Sequence, residues 1–271
     1  MNNSLSYLAY KKSPFQSLKH TTYFEVYDQL FAQYRGKDIT FVEIGVLGGG
    51  SLFMWREFFG PKARIIGIDL NPNAKKWEEH GFEIYIGSQS DESFWNDFKK
   101  KIGLIDVVLD DGGHTYEQQI ITTEMLINNI NDGGILVVED THTSYMQNFG
   151  PMKYSFIEYT KNMIDLINQR FSKLDHSNSE KRIWSVYIFE SIVAFSVNKK
   201  ATALLSEPTK NNGEDDAAED FRHADSVAIS TIDTASRKLN MLKLVPGAKV
   251  IARRLRTLLI NRNFKARRYF R

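Results

Sequence analysis

Residues 41–51 read FVEIGVLGGGS: a β-rich run, Phe41 to Ile44, breaks at Gly45 into a glycine-rich turn and then into the helix-forming segment Ser51 to Phe59. A strand that passes through glycines into a helix leaves open backbone at its carboxyl end, where nucleotide-like ligands sit in open α/β sheets. A dinucleotide fold is the first rival reading. Its G-x-G-x-x-G turn needs a second glycine so that the backbone can approach the pyrophosphate, yet two residues after Gly45 this chain has Leu47. NAD and FAD are therefore disfavoured, and a ligand without phosphates is indicated.

Outward from this loop the pattern repeats. Three further β-rich runs follow, ARIIGIDL around Ile66, FEIYIG around Ile84 and LIDVVLDD around Val107, with helical segments between them. One of these, Ser90 to Lys101, has acids in its first turn and lysines in its last, as the helix dipole prefers. Alternating strands and helices imply βαβ units and a parallel sheet. A fifth run, GGILVVED, follows the helical stretch Tyr116 to Asn129; a helix from Tyr154 to Phe171 comes next, and IWSVYIF and SIVAFSV read as an antiparallel pair. Upstream, Tyr23, Tyr27, Leu30 and Phe31 recur at helical spacing between Ser17 and Arg35, with Gly36 as a stop. The expected fold is α/β: a doubly wound, Rossmann-like, mostly parallel seven-stranded sheet with an antiparallel C-terminal strand pair.

Composition bounds the rest. A chain of 271 residues with 42% hydrophobic and 13% aromatic residues can bury one α/β core and an appendage, not two large domains. The absence of cysteine excludes disulfides, thiolate metal sites and cysteine nucleophiles. No leading apolar run of a signal peptide and no stretch of about 20 apolar residues is present, so a cytoplasmic location is expected. The formal net charge of +2 conceals an asymmetry, because Ser236 to Arg271 carries 12 Lys or Arg residues and no acid. Three segments are expected: residues 1–205 as the catalytic domain, 206–235 as an acidic flexible linker, and 236–271 as a basic tail with helical character.

S-adenosylmethionine (SAM) suits the loop, since it has no phosphate to cradle and needs close backbone approach plus a carboxylate for its charged amino-acid end. Gly45 and Gly48 to Gly50 would supply the approach, with Ser51 opening the helix, and Glu43 the carboxylate. Asp69, ending the second strand, stands where acids accept hydrogen bonds from ribose hydroxyls in such folds. Gln89, Ser90 and Asp91 fall at the adenine edge, and Asp110 ends the fourth strand beside the same pocket. The plain alternative is that Gly45 to Gly50 is only a loop and Asp69 a helix cap.

Two acidic strand ends carry the chemistry. LDDGGH puts Asp110 and Asp111 at the fourth strand's end with His114 beyond a double-glycine turn, and VVEDTH puts Glu139 and Asp140 at the fifth strand's end with His142 after them. Adjacent parallel strands end on one sheet edge, so Asp111, Glu139 and Asp140 can converge. Without a nearby Lys or Arg they would repel one another unless a cation intervenes, and oxygen-only ligands favour Mg²⁺, or Mn²⁺ and Ca²⁺, over zinc. A dication lowers the pKa of an alcohol, and a histidine, which changes charge near neutrality, can take the proton; His114 is the candidate base and Asp111 its partner in catalysis. The competing readings are an Asp-Gly turn and a helix N-cap by Asp140 or Thr141.

The series GVLGGGS, IDL, GSQSDESF, VVLDDGGHTYEQQ, GGILVVEDTHTSY and VYIFESIVAF, spanning Lys11 to Lys199, resembles the macrocin and mycinamicin sugar O-methyltransferases, a SAM-dependent, Mg²⁺-dependent class I methyltransferase family. The resemblance implies Asp111, Glu139 and Asp140 as Mg²⁺ ligands, His114 as general base, Glu43, Asp69 and Gln89 around SAM, and sugar hydroxyls as acceptors, on nucleotide sugars, glycans or glycosylated metabolites. His142 stands where relatives often carry a different polar residue. The stretch KHTTYFEVYDQLF, with His20 and Tyr23, resembles a helix that covers the SAM pocket. No two-histidine, one-carboxylate pattern argues for iron.

Beyond Ser206 the resemblance stops. Ile251, Leu255 and Leu258 share one face of a helix with Arg253, Arg254 and Arg256 elsewhere around it, which suits peripheral contact with an anionic membrane; a solvated helix or a homo-oligomer contact are the alternatives. No aromatic stacking pattern supports nucleic-acid binding. Two other functions stay open at this point: methylation of a catechol-like phenol, and a non-catalytic SAM-fold binding module. The loop Lys173 to Lys181 and the residues after Tyr145 are expected to set acceptor choice.

Overall fold

The computed structural model describes residues 3–171, 183–204, 206–214, 222–223, 226–241 and 248–270. The chain divides into two units, Met1–Pro208 and Thr209–Arg271. In the first, the elements run α1 (Leu5–Lys12), α2 (Tyr23–Phe31), β1 (Thr40–Ile44), α3 (Gly50–Phe59), β2 (Arg64–Asp69), β3 (Glu83–Ile86), α4 (Glu92–Ile102), β4 (Ile105–Asp110), α5 (Tyr116–Leu126), β5 (Ile130–Val138), α6 (Phe156–Gln169), β6 (Ile183–Phe189), β7 (Ile192–Val197) and α7 (Lys199–Thr202). The strands form one seven-stranded sheet ordered β3-β2-β1-β4-β5-β7-β6. Strands β1 to β5 are parallel, while β7 runs antiparallel to both β5 and β6.

Strand alternation divides the core. Phe41, Ile65, Val107, Leu109, Ile135 and Val137 face one side and pack with Tyr27, Phe31, Trp55 and Phe59 from α2 and α3. Val42, Ile66, Val108 and Leu136 face the other, against Trp95 and Phe98 of α4, Leu126 of α5 and Phe156 of α6. Both faces are covered, which is why these strands read as apolar runs rather than as alternating ones. The direction of winding reverses between β1 and β4, and in such sheets the ligand crevice lies at that switch point, outside the carboxyl ends.

The expected leading helix is shorter than its pattern suggested. The apolar spacing starts at Tyr23, so α2 begins there, and Ser17–Thr22 instead forms an irregular strap. The preceding α1, capped by the Ser4 side chain, was not anticipated. The loop Lys173–Lys181 lies outside the described residues.

The second unit holds α8 (Val227–Met241) and α9 (Ala248–Arg262). Thus a helix begins inside the stretch expected to be linker. Within this unit Arg256 lies 3.7 Å from Asp233. No helix among the described residues is long and apolar enough to cross a membrane.

Candidate functional site

Strand register brings the acidic tips together. Ile44 pairs with Asp110 between β1 and β4, and Asp110 with Val138 between β4 and β5. The ladder continues one step further: Asp111 N donates to Ile44 O at 3.0 Å and Glu139 N to Asp110 O at 2.9 Å. Asp111, Glu139 and Asp140 therefore leave the sheet side by side.

The glycines of the loop also fit this edge sterically. Gly45 has φ +92, and a Cβ there would lie 2.0 Å from the carbonyl oxygen of Asp111. A Cβ on Gly49 would meet Trp77 at 2.2 Å, and one on Gly50 would meet the Phe15 carbonyl at 2.4 Å. The glycines thus admit the β4 turn, the Trp77 indole and the N-terminal strap against the loop. Asp69 holds the loop from below: its Oδ2 accepts from Val46 N and Leu47 N, both at 2.9 Å, and its Oδ1 from Asn71 N at 2.8 Å.

Two cavities share Gly45, Leu47 and Asp111 as a common wall. One, of about 220 Å³, is also lined by Asp69, Leu70, Ser88, Gln89 and Gly112. The other, of about 460 Å³, lies under residues Phe15 to Lys19, which lead into the strap, and is bounded by Ser51, Asp111, His114 and Asp140. Expected donor contacts divide accordingly. Gly45, Ser51, Asp69 and Gln89 reach a cavity wall. Glu43 does not line either one; it is buried, accepting from Ser51 Oγ at 2.8 Å and Trp55 Nε1 at 3.0 Å. Burial pushes its pKa up to about 7. Asp110 is likewise buried beneath the turn, where its Oδ1 accepts from Gln89 Nε2 at 2.6 Å and Gly112 N at 3.2 Å. Burial raises its pKa to about 7 as well. Gln89 also accepts from Gly113 N at 2.9 Å through Oε1, so both ends of its amide brace the DDGG turn. Ser90 and Asp91 are not among the lining residues, and Asp91 caps α4 instead.

The expectation that no basic residue approaches the three carboxylates is overturned. Lys19 Nζ, from the strap, lies 2.6 Å from Asp111 Oδ2 and 3.0 Å from Glu139 Oε2, with 2% of its side chain exposed. Burial opposes the charge on Lys19, but attraction by Asp111, Glu139 and Glu43 outweighs it and holds its pKa above the ordinary lysine value. Tyr27 donates to Glu139 Oε1, and burial foremost pushes the pKa of both groups up. Tyr23 donates to Asp140 Oδ1 at 2.5 Å. Lys19 did not stand out in the sequence, and Tyr27 was read only as one of the apolar positions of the leading helix; Tyr23 and His20 were singled out, and His20 Nε2 lies 3.9 Å from Asp140 Oδ1.

His114 completes the edge. It adopts φ +56 just before Thr115, the N-cap of α5, and its carbonyl accepts from Thr143 Oγ1 at 3.0 Å. Its Nε2 lies 3.3 Å from Asp140 Oδ2 and 4.0 Å from Asp111 Oδ1. Asp111, His114 and Asp140 each present a ligand atom within 4.8 Å of the others, so two carboxylates and an imidazole fit the donor set of a divalent cation. His142 approaches the same acid less closely, with Nδ1 3.9 Å from Asp140 Oδ1.

Known proteins are similar to this chain over the segment that carries these residues. Residues 42–141 match the methyltransferase domain family Methyltransf_24. The chain is 32% identical over 168 residues to the 8-demethyl-8-alpha-L-rhamnosyl tetracenomycin-C 2'-O-methyltransferase of Streptomyces olivaceus, covering 59% of this chain and 43% of that protein. It is 33% identical over 131 residues to the demethylmacrocin O-methyltransferase of Streptomyces fradiae, covering 46% of this chain and 33% of that one. The mycinamicin VI 2''-O-methyltransferase of Micromonospora griseorubida is 29% identical over 183 residues, or 61% and 45% of the two chains. The matched part thus spans less than half the length of these relatives. Among solved structures, the MycE methyltransferase from the mycinamycin biosynthetic pathway, in complex with Mg, SAH and mycinamycin VI, is similar with a TM-score of 0.65 and 26% identity, covering 76% of this chain and 56% of that one.

Proposed function

We propose that this chain is a SAM-dependent, divalent-metal-dependent O-methyltransferase acting on a sugar hydroxyl of a glycan, nucleotide sugar or glycosylated metabolite. One observation carries the reading: Asp111, Asp140 and His114 meet on the wall of a cavity that shares Gly45 and Leu47 with the pocket at the switch point of the sheet. Named relatives that methylate glycosylated natural products, and a similar structure holding Mg and SAH, support it.

Donor and acceptor divide the two cavities. SAM would be held along Gly45, Asp69 and Gln89, in the cavity that shares Asp111 with its neighbour. Asp69 is anchored by three backbone amides and so offers its carboxylate to the ribose without reorganising. The acceptor would enter beneath the strap, where Asp111 and Asp140 present oxygens. Mg²⁺ or Mn²⁺, held by these acids, would supply positive charge that lowers the acceptor hydroxyl's pKa. Of the three carboxylates expected to hold the ion, Glu139 differs, since both its oxygens already accept hydrogen bonds from Lys19 and Tyr27. SAM would supply the methyl group: the new O–C bond would form as the S–C bond breaks, leaving S-adenosylhomocysteine and a methyl ether. His114 Nε2 takes the hydroxyl proton, and Asp140 Oδ2, at 3.3 Å, stabilises the imidazolium.

Asp111→Ala should abolish turnover while leaving SAM affinity near that of the wild type, measured by calorimetry. Full turnover in excess chelator would remove the metal from the reading, and a preference for catechols over sugars in an acceptor panel would replace the substrate class.

The second unit extends the proposal to location: a cytoplasmic enzyme touching the inner membrane face through α9. Ile251, Leu255 and Leu258 are each 47% exposed or more, and basic residues surround them. That pairing of apolar stripe and positive charge fits an anionic lipid surface.

A further inference from the structure

The chain has four tryptophans, and three of them, Trp55, Trp77 and Trp95, are buried, whereas Trp184 is 50% exposed. Trp184 belongs to the edge strand β6, and a bulge sets its direction. Ile183 pairs with Val197 and Ser185 with Ser196, so Trp184 is the extra residue opposite two consecutive partners on β7. Val186 packs on the sheet face covered by α4, α5 and α6, and strict alternation would send Trp184 to that same face. The bulge turns it instead to the α2 side, where it lines a cavity of about 320 Å³ together with Tyr187, which is 40% exposed. The buried Tyr34 lines it too and is held in place, its hydroxyl donating to Gly133 O at 2.8 Å. Gln29 and Gln33, four residues apart, add two carboxamides to the wall, and Asn198 adds a third, steadied because its Oδ1 accepts from Ala201 N at 2.9 Å.

These side chains together select a ligand. Among the described residues no Lys, Arg, Asp or Glu lines the cavity, so no side chain there matches a phosphate, a carboxylate or an amine. The aromatic rings call for an apolar surface laid against them, and the carboxamides, each both donor and acceptor, call for hydroxyl groups. A pyranose has both: its axial C–H bonds make a ring face apolar, and hydroxyls surround its edge. A purely apolar ligand would leave the carboxamides unpaired. Gly134, on the cavity wall, precedes Glu139 by five residues along β5, about 17 Å at ~3.3 Å per residue, so the cavity lies apart from the acidic edge. We infer that the cavity between α2 and the β6–β7 pair is a carbohydrate site in which a neutral pyranose stacks on Trp184 and Tyr187 and hydrogen-bonds to Gln29, Gln33 and Asn198. It requires neither methyl donor nor metal, so it stands independently of the methyl-transfer reading. Such a site would keep a glycan longer than one residue on the protein between encounters with the acidic edge.

Trp184 reports on its own site, because the other three tryptophans are shielded from solvent. Iodide quenching of tryptophan emission is measured on the full chain, without SAM or metal, against a panel of neutral methyl pyranosides and their linear oligosaccharides. At least one member should protect Trp184 from iodide and shift its emission to shorter wavelength. For that sugar, Tyr187→Ala should weaken binding about fivefold or more by calorimetry, Tyr187→Phe should restore it, and Gln33→Leu should weaken it as well. Should Tyr187→Ala fail to fold, the wild-type quenching and Gln33→Leu, at an exposed position, decide the matter. Protection by no member of the panel would overturn the inference, and so would affinities of Tyr187→Ala and Gln33→Leu equal to that of the wild type. An emission shift that grows with protein concentration in the absence of sugar would overturn it in favour of a second copy paired on the β6 edge. Protection by a proline-rich peptide and by no sugar would overturn it in favour of a polyproline II segment.

Discussion

A methyl group at position 45 has nowhere to go. It would have to occupy space 2.0 Å from the Asp111 carbonyl while the backbone held φ +92, so clash and strain add. Gly81 makes the natural contrast, because its φ of +80 carries the strain alone, with no atom within 4 Å of the added carbon. Gly81→Ala should cost about 1 kcal/mol and spare SAM binding; Gly45→Ala should cost about 3 kcal/mol or more and abolish it. Equal losses in denaturant titrations, or an intact SAM isotherm for Gly45→Ala, would show that the close approach to Asp111 is not what the glycine serves. Glu43 makes a second argument at this scale. Its folded pKa, about 7 against 4.5 for the free side chain, means that the folded protein holds a proton the unfolded chain has released between those values. The associated stability is fully present below about pH 4.5 and is lost as pH rises through about 7, up to roughly 3 kcal/mol. Asp110, raised from 3.8 to about 7, adds in the same direction. Wild-type stability should therefore decline from pH 5 to 8, and Glu43→Gln, which cannot ionise, should show a shallower decline in urea unfolding; parallel curves would contradict the assignment.

At the scale of elements, what was legible in the sequence followed from period and punctuation. The parallel strands are buried on both faces and bounded by glycines and acids, so they announce themselves, and their shared carboxyl edge places Asp111, Glu139 and Asp140 together. The strap carries no such signal. Leu18, Lys19 and His20 have no period and no turn chemistry, and Lys19 reaches acids 92 and 120 residues away in the chain. Only tertiary packing puts it there. Glu43 and Asp110 were read from their strand-end positions as donor ligands, and one-dimensional position does not reveal that each is buried beneath its turn. Helix α5 shows how an element holds the proposed general base. Thr115 and Gln118 form a reciprocal capping box, and His114 precedes the cap directly. Thr115→Ala should lower stability by about 1 kcal/mol through the lost cap. It should also reduce kcat more than it raises KM, since the imidazole loses its fixed approach to Asp140. A variant with the stability loss and wild-type kcat would separate the helix cap from the placement of His114.

For the whole molecule, charge is the organising asymmetry: 12 basic residues and no acid lie between Ser236 and Arg271, leaving an acidic remainder in a chain of net charge +2. On α9 the half-buried Ala252, Arg256, Leu259 and Ile260 lie apart from the exposed Ile251, Leu255 and Leu258, so one apolar stripe is left facing outward. If that stripe meets lipid, two forces act together. Each basic residue near an anionic surface contributes about 1 kcal/mol and is screened by salt, while the apolar side chains contribute by burial and are not. The full chain should co-sediment with vesicles of phosphatidylcholine and phosphatidylglycerol, and not with phosphatidylcholine alone. Changing Ile251, Leu255 and Leu258 together to Ser should abolish sedimentation while turnover on a water-soluble acceptor persists. Changing Arg253 and Arg254 to Gln should weaken binding most at low salt, where the charge term is largest. Binding that survives the triple Ser variant, or that is equal on neutral vesicles, would assign α9 to another partner. A shift from dimer to monomer in the triple variant would identify that partner as a second copy of the chain.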